Sequence, residues 1–309
     1  MKLVLFFIAS CIGIMDFSFA TDSYQEFSLL HKHWKLHSQN GEEGVLEEIL
    51  NRMKIHHGFF VEFGACDGVL FSNTRFLVER GWSGAFIECD EAYIPQLQST
   101  CDQLPNVKCI QEFVTSNPSD NRGKMLDVIT QQNFPDQEID VLSIDIDGGD
   151  YLILESLDCK PKVICIESSG YWHPSFQTRV PDEVAQQNLG QPLSIIIDIA
   201  KNKGYEPVCF LVVNLILVRN DYYHLFSEIK NDPMTLWLDS WNYMGLNQPY
   251  DQQYIWITRA TNPLLIQYDT YSTPPLAVPL EEVGLNFQNT SAKMFYKYKK
   301  VRKIHRSKK

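Results

Sequence analysis

Short apolar runs that end in an acid recur along the chain. The first is Phe59-Phe60-Val61-Glu62-Phe63, which turns through Gly64-Ala65-Cys66-Asp67-Gly68 toward a helix-compatible segment beginning near Ser72. Gly84-Ala85-Phe86-Ile87-Glu88, Asp140-Val141-Leu142-Ser143-Ile144-Asp145 and Lys162-Val163-Ile164-Cys165-Ile166-Glu167 repeat the shape. Continuous apolar runs of this length suit strands buried on both faces of a parallel sheet. Between them, helical periodicity fits residues 92–104, 123–132, 151–157 and 193–203. Alternating strand and helix predict an α/β fold: an open, doubly wound sheet with right-handed crossovers. Such sheets bind ligands outside the carboxyl ends of their strands. Glu62, Glu88, Asp145 and Glu167 would then gather along one rim, and four converging acids suit a cationic or hydroxyl-bearing ligand.

The glycine turn narrows the ligand class. Glu88 lies twenty positions after Gly68, the spacing at which a Rossmann-like unit places a carboxylate on a ribose hydroxyl. A nucleoside-bearing cofactor is expected. Dinucleotide sites use a G-x-G-x-x-G turn under a pyrophosphate, whereas here the pattern is Glu62-x-Gly64-x-x-x-Gly68 with Asp67 inside it. Those carboxylates would repel a diphosphate but suit a sulfonium and an ammonium group. The alternative is a turn in which glycine supplies unusual backbone angles and Glu62 caps a helix.

The same residues carry a resemblance to the FkbM-type branch of the S-adenosylmethionine-dependent methyltransferases. It rests on residues 61–68 with Ser72-Asn73-Thr74-Arg75, on Gly81-Trp82-Ser83-Gly84 leading to Ile87-Glu88, and on Phe113-Val114-Thr115. It continues through residues 142–151 and the Lys203-Gly204-Tyr205 turn before Asn214. Upstream, Ser38-Gln39-Asn40-Gly41-Glu42-Glu43-Gly44 matches a segment common ahead of such domains. The likeness spans roughly residues 38 to 220, most specifically around Asp145. It implies a seven-stranded Rossmann-like sheet, mostly parallel with an antiparallel C-terminal hairpin, and methyl transfer to oxygen. Cys66 stands where many methyltransferases carry a glycine.

On that resemblance, Glu62, Gly64, Ala65, Asp67, Gly68 and Asn73 would hold the methionine end of the cofactor. Glu88 would hold the ribose, and Glu112 and Phe113 would lie beside the adenine. Asp145 is the first candidate for the base that takes the hydroxyl proton, with His173 second, because an imidazole titrates near neutral pH. Asp147 and Glu167 would contact the acceptor, a hydroxyl of a sugar or small metabolite. A divalent metal on Asp145, Asp147 and Glu167, as in the catechol-type methyltransferases, is an open but less favoured alternative, since these acids can equally orient the acceptor or cap the helix near Asp150. Two other functions stay open: a catalytically silent secreted binding protein with this fold, and an NAD-dependent oxidoreductase.

Composition refines the picture without changing it. The 309 residues are 44% hydrophobic and carry a formal charge of -11, enough for one elaborated globular domain. The charge is uneven. Nine of the seventeen residues from Lys293 onward are Lys or Arg. The remainder from residue 21 to 292 has 17 basic and 37 acidic residues, or -20, which disfavours a nucleic-acid groove. The basic tail, 293–309, is expected to be disordered, with contact to acidic surfaces as the other use.

Lys2, the apolar run from Leu3 to Met15 and Ser18-Phe19-Ala20 read as a cleavable signal peptide over residues 1–20. Export to a secreted, lumenal or periplasmic compartment is therefore expected, with no transmembrane span. The methyltransferase-like domain would cover 21–220 with a helical lead-in, and 221–292 would form an appendage or lid. Asn289-Thr290-Ser291 is a glycosylation sequon. Seven cysteines follow the leader. No regular disulfide framework is visible, although Cys101 and Cys109 could pair. The clustered His31, His33 and His37 read as a solvated helix rather than a metal site.

Overall fold

The structure is a computed structural model that describes residues 28–168, 172, 174–186 and 189–247, and strands at 254–257, 264–268 and 276–279. Side chains are described through residue 240. The expected signal peptide, the sequon, the basic tail and His173 lie outside the described residues.

Seven strands form one sheet in the order β3-β2-β1-β4-β5-β7-β6. In chain order the elements are α1 (Glu42–Met53), β1 (Phe59–Phe63), α2 (Arg75–Glu79), β2 (Ser83–Glu88), α3 (Ile94–Cys101), β3 (Val107–Gln111) and α4 (Leu126–Asn133). Then come β4 (Val141–Ile144), α5 (Asp150–Ser156), β5 (Val163–Glu167), α6 (Asp182–Ala185), α7 (Leu193–Asn202), β6 (Tyr205–Leu211) and β7 (Asn214–Arg219). Strands β1 to β5 pair in parallel, while β7 runs antiparallel to both β5 and β6. The Rossmann-like, doubly wound sheet with an antiparallel C-terminal hairpin is thus present as expected. Beyond α8 (Pro233–Asn247), strands β8 (Tyr254–Ile257), β9 (Leu264–Tyr268) and β10 (Leu276–Pro279) form a separate antiparallel sheet.

The period-two alternation of strand side chains sorts the core into two layers. Phe59, Val61 and Phe63 of β1 join Leu142, Ile144, Ile164 and Ile166 against α4, α5 and α7. Phe60, Val141, Val163 and Cys165 face the other way, where Val45, Leu46, Ile49 and Met53 of α1 cover them. Glu62, Ser143 and Glu167 fall on this second, α1-facing side by the same alternation. Each large apolar side chain buried in these layers stabilises the fold by about 1.5–3 kcal/mol.

The appendage is joined to the sheet at its start. Leu236 of α8 is buried in the first core, and α8 packs on β6 and α7. The Val212 amide donates to Ser240 Oγ at 2.8 Å, which holds the β6–β7 turn against α8. All seven described cysteines are free. Cys101 and Cys109 nonetheless lie within hydrogen-bonding reach of each other across the α3–β3 connection.

Candidate functional site at the carboxyl ends of β1, β2, β4 and β5

Strand order reverses at β1, whose neighbours are β2 on one side and β4 on the other. The crevice outside that switch point is where ligands of doubly wound sheets bind. The Gly64–Gly68 turn opens there. Gly64 has φ +73, and a Cβ on it would stand 1.7 Å from the Asp145 carbonyl oxygen. The glycine is therefore fixed first by the close approach of the chain leaving β4. Gly68 has φ +74 against Leu97, and Cys66 holds φ +49, the left-handed region that favours glycine.

Glu88 belongs to this turn. Its Oε2 accepts from the Cys66 amide at 2.8 Å, and its Oε1 accepts from the Cys89 and Asp90 amides at 2.7 and 2.8 Å. A carboxylate has about four lone-pair positions, so one remains for a hydroxyl. Asp67 is spent locally: its Oδ1 accepts from the Val69 and Leu70 amides at 2.9 and 2.7 Å. Ala65 is buried and its amide donates to the Ile87 carbonyl.

Glu62 is placed differently from a ligand contact. It is 3% exposed. Its Oε2 accepts from the Ser72 and Thr74 hydroxyls, each at 2.6 Å, and its Oε1 accepts from the Asn73 amide at 2.9 Å. Burial pushes its carboxyl above the usual range, and these bonds pull it back. Glu62 thus pins residues 72–74 just ahead of α2. Asn73 is equally enclosed, its Nδ2 donating to Ser143 Oγ at 3.1 Å. These contacts tie both side chains to the segment ahead of α2 and to β4.

Asp145, Asp147, Asp150 and Glu167 form an acid cluster. Ile144 and Ile166 are register partners on β4 and β5, so Asp145 and Glu167 are the next pair outward. Asp147 is exposed, with φ +60. Asp150, at the start of α5, accepts from the Ile146 and Gly148 amides at 2.8 and 2.9 Å. Burial, followed by the neighbouring carboxylates, raises Asp145 and Glu167, while at Asp150 burial outweighs the backbone amides that pull its carboxyl down. Asp145 is held well above its usual range, Asp150 moves to about 6 and Glu167 to about 10. Burial and the surrounding carboxylates therefore favour the protonated form of Glu167.

On the expected adenine side, the Glu112 carboxylate pairs with Lys124 at 2.7 Å. Phe113 is partly exposed, with the Arg122 guanidinium 5.2 Å from its ring centre.

Three residues matter here that the apolar-run pattern did not single out. Glu42 and Glu43, the first residues of α1, are fully buried. Glu43 Oε1 accepts from the Leu36, His37 and Ser38 amides. Glu42 Oε1 accepts from Asn214 Nδ2 at 2.7 Å. Asn214 lies directly opposite Glu167 on the β5–β7 pair. Adjacent acids at a helix start are a visible signal, but the tie to a residue far along the chain is not. Among the described residues no group of three His, Cys, Asp or Glu side chains is arranged to hold a metal ion.

No protein-family model matches the chain, and no curated protein matches it. Among solved structures, similar ones include an S-adenosylmethionine-dependent methyltransferase from Aquifex aeolicus, 12% identical with a TM-score of 0.36, covering 58% of this chain and 89% of that one. The N-terminal domain of EvdMO1 with S-adenosylhomocysteine bound is 10% identical with a TM-score of 0.39, over 59% and 82% of the two chains. A TehB-like S-adenosylmethionine-dependent methyltransferase from Corynebacterium glutamicum is 10% identical with a TM-score of 0.32, over 56% and 85%. Likenesses at this level assign no activity to the chain.

Proposed function

We propose that the protein is an S-adenosylmethionine-dependent methyltransferase of the FkbM-like type, acting on a hydroxyl of a sugar or small metabolite. The observation that carries this reading is Glu88, a β2-end carboxylate fastened to the Cys66 amide of the turn and keeping one acceptor position for a ribose hydroxyl. The turn also argues against a dinucleotide. The next helix, α2, begins at Arg75, seven residues beyond Gly68, so the turn does not lead directly into a helix N-terminus of the kind that receives a pyrophosphate.

The cofactor would supply an electrophilic methyl group on a cationic sulfonium. The chain's own contribution is to place the acceptor and take its proton. Glu88 holds the ribose, the 64–68 turn the methionine end, and Phe113 flanks the base. Asp145 sits on a rigid strand end with a raised affinity for protons, which suits a general base. Positioning of the acceptor oxygen in line with the methyl supplies most of the acceleration. An exported site of action rests on the sequence of residues 1–20 alone.

A second reading is a silent binding protein, favoured by the three backbone amides that already occupy Glu88. Calorimetry separates the readings. S-adenosylhomocysteine should bind and raise the melting temperature by mass action, and Glu88→Ala should weaken that effect. Binding of NAD with no response to S-adenosylhomocysteine would overturn the assignment, and cofactor binding without turnover on any hydroxyl acceptor would leave the silent relative.

A further inference from the structure

Among the described residues, two buried amide oxygens at the carboxyl end of the sheet, those of Asn214 and Asn73, have no donor. Asn214 is 1% exposed, and its Oδ1 has no donor although its Nδ2 is bound to Glu42. Directly opposite residues on an antiparallel pair present their side chains on one face, so the Asn214 amide stands beside the Glu167 carboxyl. Ser168, the next residue, is 2% exposed with an unpartnered Oγ, and Asn73 Oδ1 is buried without a donor as well. The Asp145 carboxylate receives no hydrogen bond from the described residues. The charges that act on it come from Asp150, Asp147, Glu62 and Glu42, all carboxylates.

We propose that the corner formed by Asp145, Glu167 and Asn214 receives a protonated amine carried by the acceptor, beside the hydroxyl to be methylated. This deepens the methyltransferase reading and rests on it. An ammonium group brings three N–H donors and no acceptor, which matches the Asp145 and Glu167 oxygens and Asn214 Oδ1 one for one. It also neutralises a field to which the neighbouring side chains contribute only negative charge. A neutral polyol would satisfy the acceptors but leave that charge. The site answers a cation by losing a proton: Glu167, pushed up to about 10 when empty, ionises as the ammonium arrives.

The test loads the protein with saturating S-adenosylhomocysteine and then titrates ethanolamine, glucosamine and putrescine against ethylene glycol and glucose. At least one amine should raise the melting temperature further while its neutral counterpart does not. Calorimetry in two buffers of different ionisation enthalpy should show proton release on amine binding at pH 7. Glu167→Gln, which keeps the shape and should fold, should weaken the amine by about tenfold, or about 1.4 kcal/mol, and abolish the proton release. If S-adenosylhomocysteine binds and every amine is inert, the amine site is wrong while the cofactor reading stands. If S-adenosylhomocysteine itself fails to bind, the cofactor reading falls first. Amine binding that vanishes once the cofactor is present would assign the corner to the cofactor's own ammonium and overturn the proposal. Stabilisation by Mg²⁺ alone, reversed by chelator, would overturn it in favour of a metal site.

Discussion

The Asp145 carbonyl oxygen fills the space that a Cβ on Gly64 would require, 1.7 Å from where that atom would stand. The contact joins the turn after β1 to the chain leaving β4, so the glycine turn and the acid cluster are packed directly against each other.

Gly64→Ala should therefore cost several kcal/mol, from a backbone clash added to strain at φ +73. Gly81 provides the control: it has φ +82 but nothing within 4 Å of an added Cβ. Gly81→Ala should cost only the left-handed penalty of about 1–2 kcal/mol. Urea unfolding measures both, and equal losses at the two positions would remove the steric role assigned to Gly64.

Glu62→Ala should destabilise by at least about 2 kcal/mol, because two hydroxyls and an amide lose a buried acceptor. The denaturation midpoint should fall with an unchanged slope. A variant of full stability that fails to bind S-adenosylhomocysteine would instead make Glu62 a ligand contact.

The sheet was legible because strands buried on both faces are mainly apolar, and β1, β4 and β5 each carry a single polar residue, Glu62, Ser143 and Glu167. The 193–203 periodicity likewise became α7, Leu193–Asn202, within the fraying expected at helix ends. Strand β3 was not legible as a strand. It mixes Lys108 and Gln111 with apolar residues and lies half-buried at the sheet edge. At the site, alternation placed the acids at strand ends, but it could not say what their oxygens face. Glu62 is spent on residues ten to twelve positions away. One partner of Glu42, Asn214, is 172 residues distant, and only the assembled fold brings that pair together.

The raised carboxyls set a pH dependence of stability. Glu167 binds its proton more tightly folded, at about 10, than unfolded, near 4.3. The folded state therefore holds the extra proton, and stability falls as pH rises through that window, by up to about 1.4 kcal/mol per pH unit for one group. Asp150, at about 6, adds to the loss only between its unfolded value and about pH 6. Between pH 7 and 9 the melting temperature of the ligand-free protein should drop, and Glu167→Gln should flatten the drop. A flat wild-type profile would show that Glu167 is ionised in the folded protein.

Asp145 offers the sharpest test of mechanism. Its carboxylate follows a central strand, lies among acids and receives no hydrogen bond from the described residues, so an acceptor ammonium on one of its two oxygens would leave the other for the hydroxyl proton. Asp145→Asn keeps the shape and the Gly64 contact, which is made by the backbone. It should lower turnover by about 10²–10⁴-fold, the range for loss of a general base, while S-adenosylhomocysteine binds nearly as before. Wild-type activity should rise with pH as the base ionises, and the residual activity of the variant should lack that limb. Loss of cofactor affinity with turnover intact at saturation would make Asp145 a cofactor ligand. Unfolding would make it structural, and removing a buried like charge argues against that outcome, since the variant relieves repulsion that the wild type must bear.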